Sequence, residues 1–328
     1  CWKAEDMSNK LNPSEVRFFS GSANPQLAAA ITDYLGIPLS ETSVRRFSND
    51  NLYLQLGDSV RSRSVYILQS LSPPVNDHLL ELLMMLDIAR GAAAREIHAI
   101  IPYYSFARSD KKDSPRISVT ARLVADMLKC SGATHVMTVM LHSPQVHGFF
   151  SVPTDHLSSR PAFEHYFLGR DLSNTLVVAG DMGNAKSAAR FASTLKLPVA
   201  AGNKTRISDS EVRFTGLVGA QVKGFKRALL YDDEIATGGT IRELTSLLLD
   251  QGIEEVWVAC THGVFVRQGF DSLVEIPEIT EIVTTDTVPQ EAHPKLTVLS
   301  VASVIGEAIY RNATQQSIGD LFVYGEED

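Results

Sequence analysis

The chain has 328 residues, of which 44% are apolar and 21% are charged, and its formal net charge is −8. At roughly 100–200 residues per domain, this length suggests two domains, and the composition is that of a folded globular protein rather than a disordered chain. The acidic balance argues against a general nucleic-acid binder, which normally carries a basic domain or stripe, but does not exclude nucleotides. No apolar run approaches the ~18 residues of a membrane span.

The three cysteines have neither a disulfide framework nor the spacing of a zinc site. Cys130 and Cys260 lie in apolar segments, which predicts buried thiols. Free thiols are typical of a reducing compartment, and the first ten residues are polar rather than a signal peptide. We therefore expect a cytoplasmic protein with no membrane partner.

Short apolar runs alternate with helical patterns along the chain. The runs are apolar at consecutive positions, as expected of strands that are buried on both faces. The predicted strands are Val16–Ser20, Ser64–Gln69, Ile97–Ile101, His135–Met140, Thr175–Ala179, Arg227–Tyr231, Glu255–Cys260 and Glu281–Thr285. The predicted helices are Pro25–Leu35, Asp77–Ala94, Val119–Ser131, Asn184–Leu195 and Ile241–Gln251. This alternation predicts an α/β fold with mostly parallel sheets flanked by helices.

Polar and glycine residues mark the ends of these elements. Asn24 and Ser118 are the predicted N-caps, and Asp77, which follows Asn76, is predicted to place an acid in the first turn of its helix. Glycines follow three of the helices, as they do at helix C-termini. A Pro- and Ser-containing stretch over 155–171 follows one complete run of strand–helix units. It predicts two domains with a similar alternation of strands and helices, one over 14–158 and the other over 159–322.

The strongest local signal for function is the segment Arg-Ala-Leu-Leu-Tyr-Asp-Asp-Glu-Ile-Ala-Thr-Gly-Gly-Thr at 227–240. A predicted strand ends in Asp232 and Asp233 and runs through a Thr-Gly-Gly-Thr turn into a helix. The glycines let backbone N–H groups converge, and the helix N-terminus and threonine hydroxyls add donors, a combination that binds phosphate. The two acids lie where sugar hydroxyls of the same ligand, or a cation, would be held. The alternative is an ordinary acidic loop. The two aspartates, two glycines and two threonines within residues 232–240 disfavour that alternative.

This segment resembles the phosphoribosyl diphosphate (PRPP) loop of type I phosphoribosyltransferases and PRPP synthetases. Other segments resemble PRPP synthetases in particular, namely 17–25, 46–51, 73–85, 106–113, 141–150, 261–265 and 287–290. The resemblance runs from about residue 16 to residue 322, and the ordered set is similar to ribose-phosphate diphosphokinases of the common bacterial and animal class. It implies two type I phosphoribosyltransferase-like domains, each a mostly parallel sheet flanked by helices.

The resemblance implies an enzyme that transfers the diphosphate of ATP to the C1 hydroxyl of ribose 5-phosphate, giving PRPP and AMP for nucleotide biosynthesis. It also implies Mg²⁺ as the cofactor. The partners it implies are the two substrates and further copies of the chain, because the family forms homo-oligomers built from dimers, usually hexamers. No nucleic acid is implied.

The resemblance also implies which residues form the site. Ribose 5-phosphate binding falls on Asp232, Asp233, Thr237, Gly238, Gly239 and Thr240, and the diphosphate loop on Asp181, Met182, Gly183 and Asn184. ATP binding falls on Phe47, Asn49, Asn51, Arg108, Ser109, Asp113 and His142, the metal on His142 and Asp181, and catalysis on Lys204, Arg206 and Arg108. The segment 103–117 is implied to be a flexible lid, although its mixed charges alone would favour a solvated loop.

Several positions depart from the family pattern. Asn51 stands where a Glu is usual, Ser109 replaces a Gln, Met140 and Ala236 each replace an Asp, and Asn184 stands where the family has a second glycine. In a strand, Met140 and His142 would share one face, so the metal site would lack a carboxylate. Two alternatives stay open: a non-catalytic regulatory homologue of PRPP synthetase, and a phosphoribosyltransferase that consumes PRPP. The sequence shows no evident base-recognition hood, which the second alternative would require.

Overall fold

The computed structural model describes residues 11–206 and 212–322, and the side chains of 204–206 and 212–215 lie outside that description. The described residues form two compact units. The first unit comprises 11–158, 287–289 and 300–322, and the second unit comprises 159–206, 212–286 and 290–299. The sequence prediction placed 300–322 in the second domain, whereas these residues pack within the first unit.

Strands and helices alternate through most of the chain. The strands are β1 (Val16–Ser20), β2 (Leu39–Ser40), β3 (Thr42–Arg46), β4 (Leu52–Leu56), β5 (Ser64–Leu68), β6 (Glu96–Ile101), β7 (His135–Val139), β8 (Thr154–Leu157), β9 (Thr175–Ala179), β10 (Val199–Arg206), β11 (Val212–Gly219), β12 (Arg227–Ile235), β13 (Glu255–Gly263), β14 (Ile279–Thr285) and β15 (Leu296–Leu299). The helices are α1 (Pro25–Leu35), α2 (Val75–Gly91), α3 (Thr120–Ser131), α4 (Arg160–Leu168), α5 (Ala185–Leu195), α6 (Gly239–Leu249), α7 (Asp271–Val274) and α8 (Ala302–Ala313). Short 3₁₀ turns occupy Ser105–Arg108, Pro144–Phe149 and Gly319–Leu321.

The first unit is built on a parallel sheet with the strand order β2-β1-β5-β6-β7-β8. Consecutive residues of its strands are buried in two different apolar clusters: Phe18 lies in one and Phe19 in the other, and Tyr66 and Ile67 divide in the same way. Helices α1 and α8 supply one cluster, and α2 and α3 supply the other. Covering both faces explains why these strands have no polar alternation.

Helix α8 belongs to the first unit because its apolar face packs on α1. Ile305 and Ile309 are fully buried in the cluster that α1 also lines. A Cβ at Gly306 would lie 2.4 Å from Cδ1 of Tyr34, so only glycine permits this approach. The Tyr34 hydroxyl donates a hydrogen bond of 2.8 Å to Glu307 of α8. These contacts are the physical reason why the first unit extends to the C-terminal segment.

The second unit has the strand order β11-β10-β9-β12-β13-β14-β15, and its sheet is parallel except where the edge strand β11 pairs antiparallel with β10. Helices α4 and α5 cover one face, and α6 and α7 cover the other. β9 and β12 are neighbours, and Ala179, the last residue of β9, is aligned with Tyr231, after which β12 continues to Ile235. Residues that follow β9 therefore lie beside the part of β12 that begins at Asp232.

The structure contains each predicted strand and helix, with the ends shifted by a few residues. Asn24 caps α1 through a 3.2 Å hydrogen bond to the N–H of Leu27, as predicted. The cap predicted at Ser118 is wrong, because α3 begins after Val119 without a capping side chain. Helix α2 begins at Val75 rather than Asp77, and Asp77 lies in its first turn, as predicted.

Cys130 is exposed in the last turn of α3, so the buried thiol predicted there is also wrong, whereas Cys260 is buried. Among the described residues, no helix combines the length and the apolar content that crossing a membrane requires.

A row of buried polar side chains crosses the sheet of the first unit. Nδ1 of His98 lies 3.0 Å from Nδ1 of His135, and Nε2 of His135 lies 2.9 Å from Oδ2 of Asp155. The ring of Tyr66 stacks on His98, with the ring centroids 4.3 Å apart. Burial, and to a smaller extent His135 and Arg95, lowers the pKa of His98 to about 3. The folded first unit therefore holds His98 in its neutral form.

We expect the protein to lose stability as the pH falls below ~6.5. Unfolded His98 binds a proton near that pH, but folded His98 does so only near pH 3, so acid favours the unfolded chain. Above pH ~6.5, His98 does not reduce the free energy of unfolding. At pH 5, protonation of unfolded His98 lowers the free energy of unfolding by up to about 2 kcal/mol. Thermal denaturation of wild type and His98→Gln at pH 7.5 and pH 5 measures it, since the variant should lose less stability between the two.

His165→Gln, at an exposed position on α4, is the matched control and should behave like wild type. Equal losses of stability in wild type and His98→Gln would contradict the assignment of the pH dependence to His98.

Candidate active site

The phosphate-binding turn predicted at 237–240 joins β12 to α6 in the second unit. Gly238 has φ of 73° and lies at the N-cap of α6, a conformation that glycine adopts without strain. A Cβ at Gly238 would lie 2.9 Å from the backbone oxygen of Gly269 and 3.1 Å from Cγ of Leu273. Both the conformation and the space thus require glycine here.

The N-terminus of α6 opens at this turn. The amide of Arg242 donates to the backbone oxygen of Gly238 at 3.0 Å, which is the first bond of the helical ladder. The N–H groups of 239–241 precede that bond and have no helical acceptor. No side chain caps this end of α6. Together with the Thr237 and Thr240 hydroxyls, these donors and the helix dipole suit an anion such as a phosphate.

The predicted diphosphate loop lies beside this turn, because it follows β9, the neighbour of β12. Within the loop, the Asn184 amide N–H donates to Oδ1 of Asp181 at 3.1 Å. The Asn184 side chain then crosses to β12, where Nδ2 donates to the backbone oxygen of Tyr231 at 3.0 Å and to Oδ1 of Asp232 at 3.3 Å. The structure thus brings the two predicted loops together.

Asp232 is the most crowded carboxylate in this part of the unit. Its Oδ1 also accepts a 3.0 Å hydrogen bond from the amide of Asp233, and a Cβ at Gly180 would lie 2.5 Å from its Oδ2. Removal from water raises the pKa of Asp232 well above its usual range, and the carboxylates of Asp233 and Asp181 raise it further. A cation, or hydroxyl groups that donate hydrogen bonds, would relieve this repulsion.

The two predicted metal residues lie in different units. Asp181 follows β9 in the second unit and is partly buried, and His142 follows β7 in the first unit and is exposed. Within the described parts of the chain, no group of three or more His, Cys, Asp or Glu residues is arranged to hold a metal ion. The carboxylate of Asp181 fits Mg²⁺, which prefers oxygen ligands, whereas an imidazole fits it poorly.

Met140 is part of the apolar core of the first unit. Its side chain lies in the cluster that includes Val139 and Leu157, its amide donates to the backbone oxygen of Leu157 at 3.1 Å, and its φ is 42°. The argument that Met140 and His142 share one strand face is therefore wrong, because β7 ends at Val139 and the backbone turns at Met140.

Three of the predicted ATP-binding residues lie at the tip of the β3–β4 hairpin. Phe47, Asn49 and Asn51 are all exposed, and the Phe47 amide donates to the backbone oxygen of Asn51 at 2.9 Å. The Phe47 ring contacts Tyr53 edge-on, with centroids 5.7 Å apart. An exposed aromatic ring beside two amides is suited to contact a planar base.

The predicted lid at 103–117 divides into two parts. Tyr103, Tyr104 and Ala107 are buried, and the Tyr104 hydroxyl donates to the backbone oxygen of Ala121 at 2.8 Å, so this part packs as core. Residues 111–117, with Asp113 among them, are exposed and irregular, and Arg108 and Ser109 lie exposed where the two parts meet. The lid prediction is too long at its N-terminal end.

The predicted catalytic cations lie on the edge hairpin of the second unit. Lys204 and Arg206 belong to β10, and the pairing with β11 shifts register between Asn203 and Lys204. Their side chains lie outside the described part of the structure.

Two glycines important to the site were missed by sequence reasoning. Gly180 leaves room for the Asp232 carboxylate, and its position directly after a buried strand was an available signal. Gly269 packs against the phosphate turn, since a Cβ there would lie 2.5 Å from the backbone oxygen of Ala236, and nothing local in the sequence marks it. The β3–β4 hairpin was also missed, although Tyr53, Leu54 and Gln55 alternate between exposed and buried.

Comparisons with known proteins show the family to which the chain belongs. The model of the N-terminal domain of ribose phosphate pyrophosphokinase matches residues 16–132, and that of the phosphoribosyl synthetase-associated domain matches 209–323. The chain is similar to a ribose-phosphate pyrophosphokinase of Deinococcus radiodurans, at 43% identity over 96% of this chain and 100% of the relative. It is 40% identical to that of Caldanaerobacter subterraneus subsp. tengcongensis over 94% of this chain and 98% of the relative.

Among solved structures, the chain resembles phosphoribosylpyrophosphate synthetase from Mycobacterium smegmatis, with a TM-score of 0.84 and 35% identity over 92% of this chain and 99% of that one. The predicted fold class and enzyme class are confirmed by these matches. The structure brings the two predicted loops together at Asp232, and the chain is similar to these enzymes over nearly its whole length. The chain therefore belongs to the ribose-phosphate pyrophosphokinase family.

Proposed function

We propose that the protein transfers the β,γ-diphosphate of ATP to the C1 hydroxyl of ribose 5-phosphate. The hydroxyl oxygen attacks the β-phosphorus, the bond from that phosphorus to the oxygen shared with the α-phosphate breaks, and AMP leaves with that oxygen. The hydroxyl loses its proton and PRPP forms. The observation that carries the proposal is the pair of acids Asp232 and Asp233 in β12, just beyond its pairing with β9, followed by a left-handed glycine and the uncapped start of α6.

The acceptor side of the proposal uses the second unit. The N–H groups at the start of α6 and the Thr237 and Thr240 hydroxyls bind the 5-phosphate, with Gly238 and Gly239 allowing close approach. Asp232 and Asp233 accept hydrogen bonds from the ribose hydroxyls. Such bonds orient C1 toward the diphosphate, and orientation supplies much of the catalysis of phosphoryl transfer.

The diphosphate and its metal are proposed to lie next to the loop Asp181–Asn184. The Asp181 carboxylate would hold Mg²⁺, with phosphate oxygens and water filling the remaining positions. Bound Mg²⁺ would supply charge neutralisation on the transferred group. The chain's own contribution is to place backbone and carboxylate groups where that charge is bound.

ATP is proposed to bind the first unit. The exposed ring of Phe47 and the amides of Asn49 and Asn51 would contact adenine, and Arg108, Ser109 and Asp113 would contact ribose and phosphates. Lys204 and Arg206 are proposed to stabilise charge on the transferring group from the β10–β11 hairpin. A homo-oligomer in the cytoplasm is the proposed state and location.

AMP release from ATP and Mg²⁺ tests the function. We expect release that depends on ribose 5-phosphate and equals the PRPP formed. Omission of ribose 5-phosphate is the control, and GTP, CTP and UTP should also be tried as donors, since Asn51 replaces a Glu. A regulatory homologue would release no AMP with any donor, and a phosphoribosyltransferase would consume PRPP when given a base. Either result would contradict the proposal.

Asp232→Ala and Asp233→Ala should each raise the KM for ribose 5-phosphate by about tenfold or more. Each change removes a charged hydrogen-bond acceptor worth about 1.5–3 kcal/mol to a hydroxyl. The KM for ATP should change far less. Steady-state kinetics with each substrate varied in turn gives both values, and Asp250→Ala, at the exposed end of α6, is the matched control. Equal increases in both KM values would argue against ribose binding by these acids.

Met140→Asp should lower the melting temperature without changing the Mg²⁺ dependence of activity. If position 140 faced the metal, as the strand argument from the sequence implied, this variant would need less Mg²⁺. The side chain instead packs in the core, where a carboxylate would cost at least about 1–3 kcal/mol. Met140→Leu keeps the volume apolar and should cost less than about 1.5 kcal/mol. Thermal melts with and without Mg²⁺, together with Mg²⁺ titrations at fixed ATP, decide the point. A lower Mg²⁺ requirement in Met140→Asp would show that position 140 reaches the metal.

A further inference from the structure

Asn184 connects the two loops of the second unit through its side chain. Its Nδ2 group donates to Oδ1 of Asp232 at 3.3 Å and to the backbone oxygen of Tyr231 at 3.0 Å. Both partners are acceptors, so the amide has only one chemically sensible orientation, with nitrogen toward β12. The PRPP synthetases that the sequence resembles have glycine at this position, and glycine has no side-chain amide to donate these hydrogen bonds.

We propose that Asn184 is a positioning residue that holds the Asp232 carboxylate for ribose 5-phosphate. This inference rests on the proposed function, in which Asp232 binds a ribose hydroxyl. Asn184 does not touch the sugar in this proposal and acts only through Asp232.

The surroundings of Asp232 explain why it needs a holding group. The carboxylates of Asp233 and Asp181 lie close enough to repel it, and partial burial reduces the screening of that repulsion by water. The Asn184 amide and the Asp233 N–H both donate to Oδ1, so that oxygen is held in place from two sides. Gly180 leaves space for Oδ2.

Asn184 is itself fixed by the loop that carries it. Its backbone N–H donates to Oδ1 of Asp181 at 3.1 Å, and it lies at the N-cap of α5. A shift of the diphosphate loop would therefore move the donor that holds Asp232. The geometry couples the place proposed for the diphosphate to the place proposed for the ribose.

Asn184→Asp tests this role with almost no change in shape. The new carboxylate would put oxygen against the Tyr231 carbonyl and the Asp232 carboxylate, replacing two attractions by two repulsions. We expect the KM for ribose 5-phosphate to rise about tenfold or more, and by a larger factor than the KM for ATP. Asn184→Gly, which removes the donor without adding charge, should give a smaller rise in the same KM.

Asn174→Asp is the matched control, since it makes the same chemical change at an exposed position before β9. It should leave both KM values unchanged. Thermal melts of all variants show whether each one is folded at the assay temperature, and Asn184→Gly keeps the proposal testable if Asn184→Asp does not fold.

A double-mutant cycle with Asp232→Asn separates the two levels of the argument. If Asn184 acts through Asp232, Asn184→Asp should raise the KM for ribose 5-phosphate less than about threefold in the Asp232→Asn background, because an amide at 232 can donate to the new carboxylate. The same large rise in both backgrounds, or no rise in the wild-type background, would overturn the role of Asn184 and leave the ribose site intact. An unchanged KM in Asp232→Ala, which removes the acceptor altogether, would instead overturn the ribose site, and this inference with it.

Discussion

A carboxylate placed among other carboxylates is the constraint on which the second unit's site depends. Asp232 lies in β12 directly after Tyr231, the last residue that pairs with β9, partly removed from water and next to Asp233 and Asp181. Such a group is stable only where donors surround it and space is left for it. The backbone amide of Asp233, the side chain of Asn184 and the absence of a side chain at Gly180 meet these conditions together.

Both units place their candidate residues by the same device. Parallel strands that are buried on both faces deliver consecutive apolar residues to opposite clusters, and their carboxyl ends open at one edge of the sheet. Arg108 and His142 follow neighbouring strands of the first unit. In the second unit Asp181 follows β9, and Asp232 lies in the neighbouring β12 beyond its pairing with β9. The polar groups are thus presented by rigid elements, and the core need not adapt to them.

The elements that sequence reasoning found were those with a strong local pattern. The buried runs and the Asp-Asp to Thr-Gly-Gly-Thr segment could be read because their signal lies in consecutive residues. The residues that sequence reasoning missed are determined by partners far apart in the sequence. A side chain at position 306 would collide with Tyr34, and one at position 269 would collide with the turn at Ala236. The prediction for Met140 failed for a related reason. The positive φ of Met140 ends β7 at Val139, so the alternation of faces along a strand does not extend to His142.

The contact of the phosphate turn with the segment after β13 has a thermodynamic consequence. Gly238 is pressed between the Gly269 backbone and Leu273, so packing within the unit, and not the ligand, sets the shape of the turn. A loop that is ordered before its ligand arrives loses little conformational entropy on binding. More of the attraction between the α6 amides and a phosphate therefore remains as affinity, and encounter with the anion need not wait for the loop to fold.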